Sequence, residues 1–403
     1  MATQRITTRD IRRVNRAALL RPIFLKGPLH RTDLGKITGL SGASVISVVS
    51  DLLDEGLIIE AGHEDSEGGR PHVLLEVNPA FGVVVGVDIG DIGIRVGVFD
   101  FSMQELEHKV FDIRPVMHSA DDVIRDITKW ISEMLDGVGS SHGRVLGVGI
   151  GVPGAVEYED DSVVHAWVIG WNGIPLARMV QDAIGLPTIV ENGSKTQGQA
   201  ELWFGAARGA SNAVVAVIAH GVGAAFFIDG ALYRGGSSSA GEWGHTNVVM
   251  GGRQCRCGAR GCLEAYVGGA ALVEQWAEAD DSIRVPASYD EEEWVERLVV
   301  ASLSNPVAAD LLARTATILG VATANLVNLF NPERVVLGGW VGLKLGPIVL
   351  PVIRATVEEQ ALAYPASQVS VEIAQLGREG IALGASTLVF DRLVANGGIL
   401  EET

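Results

Sequence analysis

The segment AVVAVIAHGVGAAFFIDG (213–230) contains two apolar, β-rich runs separated by a glycine-containing loop, a pattern typical of neighbouring buried strands. Comparable strand-like runs recur along the chain as FGVVVGVDIG (81–90), IRVGVFD (94–100), RVLGVGIGVPG (144–154), PTIVENG (187–193) and RVVLGGWVG (334–342). Helix-like stretches separate these runs. The sequence from residue 78 onward therefore predicts an α/β fold in which ligands bind at the glycine loops.

Length and composition constrain the domain organisation and the cell compartment. The chain has 403 residues, of which 47% are hydrophobic and 20% charged, and this excludes general disorder. We expect one domain over residues 1–77 and a second over residues 78–403, with two lobes near 78–190 and 191–403 and a C-terminal helix that could return to the first lobe. Residues 1–20 lack the unbroken apolar stretch of a secretory signal or a membrane span, which predicts a cytoplasmic protein without a membrane partner.

Charge is distributed unevenly along the chain. The net charge is −18, yet residues 1–50 carry nine Lys and Arg against Asp10 and Asp33, a balance of +7 that leaves −25 for the rest. A basic segment on an acidic protein concentrates attraction for DNA at one end. The alternative is an Arg-rich helix that is merely solvated.

The first helix is predicted to run from Thr8 to Lys26, because Gly27 and Pro28 follow it. Pro22 lies inside that pattern and predicts a kink or an early end. The apolar residues expected on one face are Ile11, Val14, Ala18, Leu19 and Ile23.

A helix-turn-helix follows in the sequence. A short helix from Thr32 to Thr38 meets a turn at Gly39, and Ser41 caps a second helix that ends at Gly56. The residues expected to face inward from the second helix are Val45, Val48, Val49, Leu52 and Leu53. This spacing is typical of DNA-binding helix-turn-helix motifs.

Two strand-like runs, Leu57–Glu60 and His72–Val77, flank the polar loop GHEDSEGGR (62–70), which predicts a wing. An αα-hairpin used for dimerisation is the alternative. The second helix of the motif is poor in basic residues, so phosphate contacts are expected largely from the first helix and Arg31. The predicted DNA-contacting residues are Arg31, Ser41, Ser44, Ser47 and, from the wing, Arg70.

All three cysteines lie in CRCGARGC (255–262), as Cys255, Cys257 and Cys262, and His245 lies a short loop upstream. Three thiolates and one imidazole form a closed tetrahedral shell for zinc. In a cytoplasmic protein, such clustering indicates metal rather than disulfides. The sequence therefore predicts a structural Zn²⁺, with three inert thiols as the alternative.

Several motifs together resemble the ROK family, which contains sugar kinases and transcription regulators. They are VGVDIG (85–90), GVGIGVPG (147–154), GWNGIPL (170–176), GEWGH (241–245), CRCGARGCLE (255–264) and VVLGGWVG (335–342). The helix-turn-helix SGASVISVVSDLLDEGLI (41–58) and GGRP (68–71) are similar to the regulator branch. The resemblance implies a two-lobed actin/hexokinase-like (ribonuclease H-like) fold behind a winged helix-turn-helix.

The resemblance also implies an effector site. The Glu and His of GEWGH and the Glu of CLE correspond to Glu242, His245 and Glu264, which in the family hydrogen-bond sugar hydroxyls. Asn192 matches the Asn of a family Asn-Asp motif. His245 would also ligate the metal through its other ring nitrogen. The alternative is that both carboxylates only hold the zinc loop.

Four departures from the kinase pattern bear on activity. Gly193 replaces the Asp that takes the proton from the sugar hydroxyl. The first phosphate loop, Asp-x-Gly-Gly-Thr in kinases, gains a carboxylate at Asp91. The second, Gly-Thr-Gly-x-Gly-Gly-Gly in kinases, reads AHGVGAA (219–225), and Trp340 stands where a glycine normally leaves room for adenosine. These changes predict that phosphoryl transfer is lost and that the chain is not an enzyme.

The sequence hypothesis is a DNA-binding regulator, preferentially a repressor, that responds to a sugar-type effector and binds a palindromic operator as a homodimer or homotetramer. A sugar kinase with an accessory DNA module and an effector-independent regulator are the alternatives. Lys195 is interpreted as a solvated helix residue. Were it turned inward instead, its cation would allow an anionic effector.

Overall fold

A computed structural model describes residues 7–64, 72–138, 143–157 and 162–399. The chain divides into two compact units. The first comprises Met1–Gly154, Glu159–Glu191 and Ala385–Thr403, and the second comprises Ala155–Tyr158 and Asn192–Gly384. This division does not separate residues 1–77 from the strands that follow them, so the boundary expected at residue 77 stays a prediction.

The N-terminal region (residues 7–77) contains three helices and a small sheet within its described residues. The helices are α1 (Thr8–Lys26), α2 (Arg31–Thr38) and α3 (Gly42–Asp54), and the strands are β1 (Leu29–His30), β2 (Ile58–Glu64) and β3 (His72–Val77). The strands pair antiparallel in the order β1-β3-β2. Gly39 ends α2 in the left-handed conformation, and the Ser41 hydroxyl accepts the Ser44 N–H at the start of α3. The predicted helices are therefore present with nearly the predicted bounds.

Two expectations for α1 are wrong. The early end considered at Pro22 does not occur, because the helix continues through this buried residue to Lys26. A kink at Pro22 stays a prediction. Ile11 and Val14 are 52% and 61% exposed, whereas the buried face contains Leu19, Leu20 and Ile23. The apolar periodicity that joins residues 11 to 23 therefore overstates the length of the buried stripe, which is confined to the second half of the helix.

The main sheet of the first unit is built from apolar runs. It contains β4 (Gly82–Ile89), β5 (Ile94–Asp100), β6 (Glu105–Phe111), β7 (Arg144–Val152) and β11 (Thr188–Asn192) in the order β11-β7-β4-β5-β6. β4 pairs parallel with β7 and antiparallel with β5. β4 and β7 are buried along most of their length, as expected of strands covered on both faces.

Shorter elements complete the first unit. They are α4 (Ala120–Val138), β9 (Val163–Ala166), β10 (Trp171–Pro175) and α5 (Leu176–Ile184), with β8 (Ala155–Val156) assigned to the second unit. β9 and β10 form an antiparallel pair.

The helix α13 (Gly380–Ala395) brings the end of the described chain onto α1. Phe390 stacks on Phe24 with ring centroids 3.7 Å apart, and Asp391 pairs with Arg21. The buried Arg16 donates from Nε to the Gly397 carbonyl.

The second unit contains another five-stranded sheet. Its strands are β12 (Ala213–Ile218), β13 (Val222–Ile228), β14 (Ala231–Tyr233), β15 (Arg334–Gly338) and β16 (Ser370–Ile373), in the order β14-β13-β12-β15-β16. β12 pairs antiparallel with β13 and parallel with β15. The loop between β12 and β13 is therefore the one that the sequence assigns to the second phosphate loop.

Helices surround this sheet. They are α6 (Gly193–Phe204), α7 (Glu264–Val267), α8 (Gly269–Ala279), α9 (Glu291–Ala301), α10 (Pro306–Phe330), α11 (Gly339–Gln360) and α12 (Ala363–Gln368). By length and composition, α10 and α11 are apolar enough to cross a membrane. Leu319, Val327 and Val349 of these helices lie in the hydrophobic core of the unit, so packing within the fold explains their apolar character.

Candidate functional site

The three cysteines and His245 form one cluster in the second unit. One ligand atom of each residue lies within 4.8 Å of the others. The Cys255 sulfur is 3.7 Å from His245 Nδ1, and the sulfurs of Cys257 and Cys262 are 3.8 Å apart. Three sulfurs and one imidazole nitrogen form the donor set that tetrahedral zinc prefers. The side chains present therefore fit a closed structural metal site.

The thiols of this cluster differ in their surroundings. Burial raises the pKa of Cys255 to about 12 and also raises the pKa of Cys262. The Ala259 N–H lowers the pKa of Cys257, the most exposed of the three. Buried thiolates at this separation repel one another, so the thiolate form of the cluster requires a cation.

Glu242 lies on the other side of the His245 ring. Its Oε2 is 3.8 Å from His245 Nε2, and its side chain is 52% exposed. Since Nδ1 faces Cys255, the two ring nitrogens face different partners, as the resemblance implies. The side of the ring that faces away from the sulfurs therefore presents a nitrogen and a carboxylate oxygen together.

Glu264 is in a different state from Glu242. Its carboxylate accepts from Arg256 Nε at 2.8 Å, from Arg256 Nη2 at 3.2 Å and from the Val222 N–H at 3.0 Å. The Glu264 side chain is 7% exposed, and the Arg256 side chain is 49% exposed. A buried carboxylate with three donors has little capacity left for a ligand. The cysteine motif does not predict this pairing, because it leaves the position of Arg256 between two cysteines unspecified.

The second phosphate loop (219–225), which continues from the β12–β13 turn into the start of β13, touches three other motifs. A Cβ on Gly223 would lie 2.7 Å from Ser194 Oγ, and the Ala224 N–H donates to the Gly241 carbonyl at 2.8 Å. Val222 reaches Glu264, as described above. The segments that begin at Asn192, Gly241 and Cys255 therefore converge on this loop.

Asn192 caps a helix in this arrangement. Its Oδ1 accepts the N–H groups of Ser194 and Lys195 at 2.9 and 3.2 Å, at the start of α6. Its carbonyl oxygen therefore has a structural role. A contact between Asn192 and an effector stays a prediction.

The interpretation of Lys195 as a solvated residue is wrong. Its side chain is turned inward, the residue is 3% exposed, and Nζ donates to the Ser238 carbonyl. A buried ammonium needs partners because desolvation disfavours the charged form. Since this ammonium is already engaged, its inward position does not by itself support an anionic effector.

Trp340 and His220, two positions at which the chain departs from the kinase pattern, contact each other. Trp340 Nε1 donates to His220 Nδ1 at 3.2 Å, and the ring centroids are 5.1 Å apart. His220 Nε2 is 3.9 Å from Glu291 Oε2. A Cβ on Gly269 would lie 2.6 Å from the Trp340 ring. Aromatic side chains therefore fill the space beside the second phosphate loop.

The first phosphate loop contains a perturbed carboxyl. Burial and repulsion by Asp91 together raise the pKa of Asp88 to about 7, while Arg95 acts in the opposite direction. Arg95 lies directly across the sheet from Asp88 and donates to Glu105 at 2.6 Å. Asp91 thus stabilises the neutral form of Asp88, and the negative charge of Asp91 itself makes this loop unfavourable for phosphate.

The predicted DNA-facing residues lie around α3. Ser47 is exposed and Ser44 is partly buried, while the hydroxyls of Ser41 and Ser44 are 2.9 Å apart in the cap. Arg31 Nη2 donates to Glu60 at 3.2 Å. Arg70 lies outside the described residues. DNA contact by these residues stays a prediction.

Several arginine side chains of the N-terminal region form ion pairs with acidic residues. Arg12 donates to Asp51 at 3.1 Å, and Arg16 donates to Glu55 at 2.7 Å. Residues 51–77 contain eight acidic residues against Arg70, so the predicted domain as a whole is neutral rather than basic. Attraction of this region for DNA therefore depends on the local arrangement of its charges rather than on its net charge.

A sequence profile described as the ROK family matches residues 84–392, which is more than half of the chain. The chain belongs to the ROK family. The residues before 84, including the helix-turn-helix, lie outside that match.

Individual relatives of this ROK chain separate regulators from kinases. The xylose repressor of Caldicellulosiruptor bescii is 28% identical over 392 residues, which covers 96% of this chain and 97% of the repressor. A solved structure described as a ROK family transcriptional regulator, homolog of the E. coli MLC protein, superposes with a TM-score of 0.81 and 26% identity, covering 96% and 98%. The glucokinase of Halalkalibacterium halodurans is 31% identical over 316 residues but covers only 76% of this chain, against 94% of the kinase.

These matches confirm the prediction of a ROK-family transcription regulator with a sugar-kinase-like α/β fold. The repressor and the regulator structure match nearly the whole chain, whereas the glucokinase match leaves about a quarter uncovered. They agree with the prediction that the chain is a regulator and not an enzyme.

Proposed function

We propose that this chain represses carbohydrate-related genes by binding operator DNA, and that a sugar-type effector bound at Glu242 and His245 changes its affinity for that DNA. The observation that supports this most strongly is the position of the Glu242–His245 pair directly beside the thiol cluster. In addition, the chain matches a protein named as a xylose repressor over nearly its full length.

The proposed DNA-binding surface includes α3 and the predicted wing. A two-fold dimer, alone or within a tetramer, presents two copies of α3 to a palindrome with half-sites one helical turn or a multiple apart. Ser41, Ser44 and Ser47 are the proposed contacts from α3, and Arg31 and Arg70 are the proposed contacts on either side. Because we propose that the protein binds operator DNA, we also place it in the cytoplasm.

Four side chains have different roles in the proposed effector site. His245 holds the metal through Nδ1 and offers Nε2 to a sugar hydroxyl, while the half-exposed Glu242 accepts a hydroxyl proton. Zn²⁺ bound by His245 and the three cysteines would fix the loop and the orientation of the imidazole. Glu264 positions the loop through Arg256 and Val222, and Asn192 shapes the start of α6.

Regulation requires that the effector distinguish two states of the protein. It alters operator binding only if its affinity differs between the DNA-competent and DNA-incompetent states. A coupling of 1–3 kcal/mol is the common range and corresponds to about 5–150-fold in operator affinity.

The kinase alternative conflicts with the residues at both phosphate loops. Gly193 has no side chain to take a proton, and Asp91 places a negative charge near the expected phosphate position. Trp340 and His220 pack together beside the second loop. Phosphoryl transfer needs an electropositive, open nucleotide site, and these residues supply the opposite.

Genomic footprinting with and without D-xylose, D-glucose and their phosphates tests the proposal. We expect protected palindromes whose occupancy one of these sugars changes. Absence of any protected site would disprove DNA binding. If sites are protected but no sugar changes their occupancy, and none shifts the melting temperature of the protein, the effector-independent alternative replaces the proposal.

A further inference from the structure

The outward face of α3 has an unusual composition for a helix that contacts bases. The helix contains no Lys, Arg, Asn or Gln. Those side chains make the bidentate contacts to guanine and adenine that dominate direct recognition in the major groove. Its first carboxylate, Asp51, accepts from Arg12 of α1. The other side chains on this face carry hydroxyl or apolar groups.

Ile46 is the large apolar residue on that face. It is 62% exposed, whereas Val45, Val48, Val49 and Leu52 of the same helix are 4% exposed or less. Ala43 and Ser50, both exposed, lie three and four residues away and are its neighbours along the helix surface. Isolated exposed apolar residues are common, so exposure alone carries no argument. Ile46 is informative because it lies at the centre of the helix that is proposed to enter the groove.

The major-groove edge of thymine carries a methyl group, which is the apolar feature that distinguishes it from the other bases. A branched aliphatic side chain matches that methyl by burial of apolar surface and needs no hydrogen bond. The exposed Ser47 beside it offers a hydroxyl that can hydrogen-bond to a polar base edge or a phosphate. We propose that Ile46 packs against the 5-methyl group of a thymine in each operator half-site and thereby selects A·T pairs at that position. This inference rests on the proposed function, since it requires operator binding.

Replacing thymine by uracil tests the contact directly, because a dA·dU pair keeps every hydrogen-bonding group and loses only the methyl. Duplexes based on a footprinted operator, each with one thymine replaced, are titrated with the full-length protein by fluorescence anisotropy at fixed salt. We expect one or two positions per half-site to weaken binding by about fourfold, the value of one buried methyl. The same substitutions should leave the affinity of Ile46→Ala unchanged.

Ile11→Ala is the matched control, because it makes the same chemical change at an exposed site of α1. It should retain the uracil penalty in full, and equal melting temperatures should show that both variants are folded. Two results overturn the inference: no thymine position that costs the wild-type protein more than about twofold, or a uracil penalty that persists in Ile46→Ala. Failure of the wild-type protein to bind any footprinted operator would instead disprove the proposed function.

Discussion

The thiol cluster and the β12–β13 loop lie in the same unit, yet their chemistry differs in kind. In the cluster, His245 and the three cysteines bring a complete donor set together, and Glu242 remains half-exposed beside them. At the loop, Trp340 and His220 pack on each other where a kinase needs open space. The difference teaches that the side chains proposed to bind a sugar and the positions that serve phosphate transfer in kinases are separable in this fold.

Removing one thiol should produce the largest effect. Cys257→Ser replaces the most exposed ligand, so it disturbs packing least while breaking the closed shell. We expect zinc to fall from about one equivalent per chain to less than half, as measured by elemental analysis of protein that has not met a chelator. Arg260→Ala, a change at an exposed side chain of the same loop, should keep its metal. Equal zinc in both variants would show that the cluster is not the binding site.

The two carboxylates should respond differently to neutralisation. Glu242→Gln should weaken effector binding by at least about tenfold, because a hydrogen bond to a charged group contributes roughly 1.5–3 kcal/mol. Glu264→Gln should instead lower the melting temperature, since it breaks the buried pair with Arg256. Calorimetry with the sugar identified by footprinting measures the first effect, and thermal unfolding measures the second. A similar loss of affinity in both variants would mean that Glu264 also contacts the effector.

The first phosphate loop should make stability depend on pH. The pKa of Asp88 is about 7 in the folded protein and near 3.8 in the unfolded chain, so the unfolded chain releases this proton first. Stability contributed by this group is present below pH 4 and is lost as the pH rises toward 7. Asp88→Asn should therefore reduce the fall in melting temperature between pH 5 and pH 8 by a few degrees. Asp182→Asn, at an exposed residue of α5, is the control and should leave the pH profile as it is.

Restoring the catalytic carboxylate should have no effect on phosphorylation. Gly193→Asp supplies the missing base, but Asp91, His220 and Trp340 still oppose nucleotide binding. In a coupled ADP assay with hexoses, both the wild-type protein and Gly193→Asp should stay at the rate of the enzyme-free control. Sugar-dependent ADP release from either one would restore the kinase alternative.

Local signals explain what the sequence predicted well. The bounds of α1, the left-handed turn at Gly39 and the Ser41 cap depend on neighbouring residues, and the cysteine cluster is contained in eight residues. These features follow from chain chemistry over short distances.

The errors arise where tertiary packing, rather than the chemistry of neighbouring residues, decides the outcome. Arg256 pairing with Glu264, Lys195 reaching Ser238, and the exposure of Ile11 depend on tertiary packing that no periodicity encodes. The net charge of the N-terminal region follows from the sequence alone. Residues 1–50 are basic, but residues 51–77 add the acidic residues that pair with α1 and make residues 1–77 neutral.

The contact between α1 and the residues after α13 bears on how the protein is made. The hydrogen bond from Arg16 to the Gly397 carbonyl joins residues 381 positions apart, and Phe390 covers Phe24 nearby. A nascent chain therefore lacks these contacts to Arg16 and Phe24 for nearly the whole of its synthesis, while α2, α3 and β3 can already pack on α1. Because α1 gains its C-terminal partner only when residue 397 has left the ribosome, completion of the proposed operator-binding domain depends on translation of almost all of the described chain.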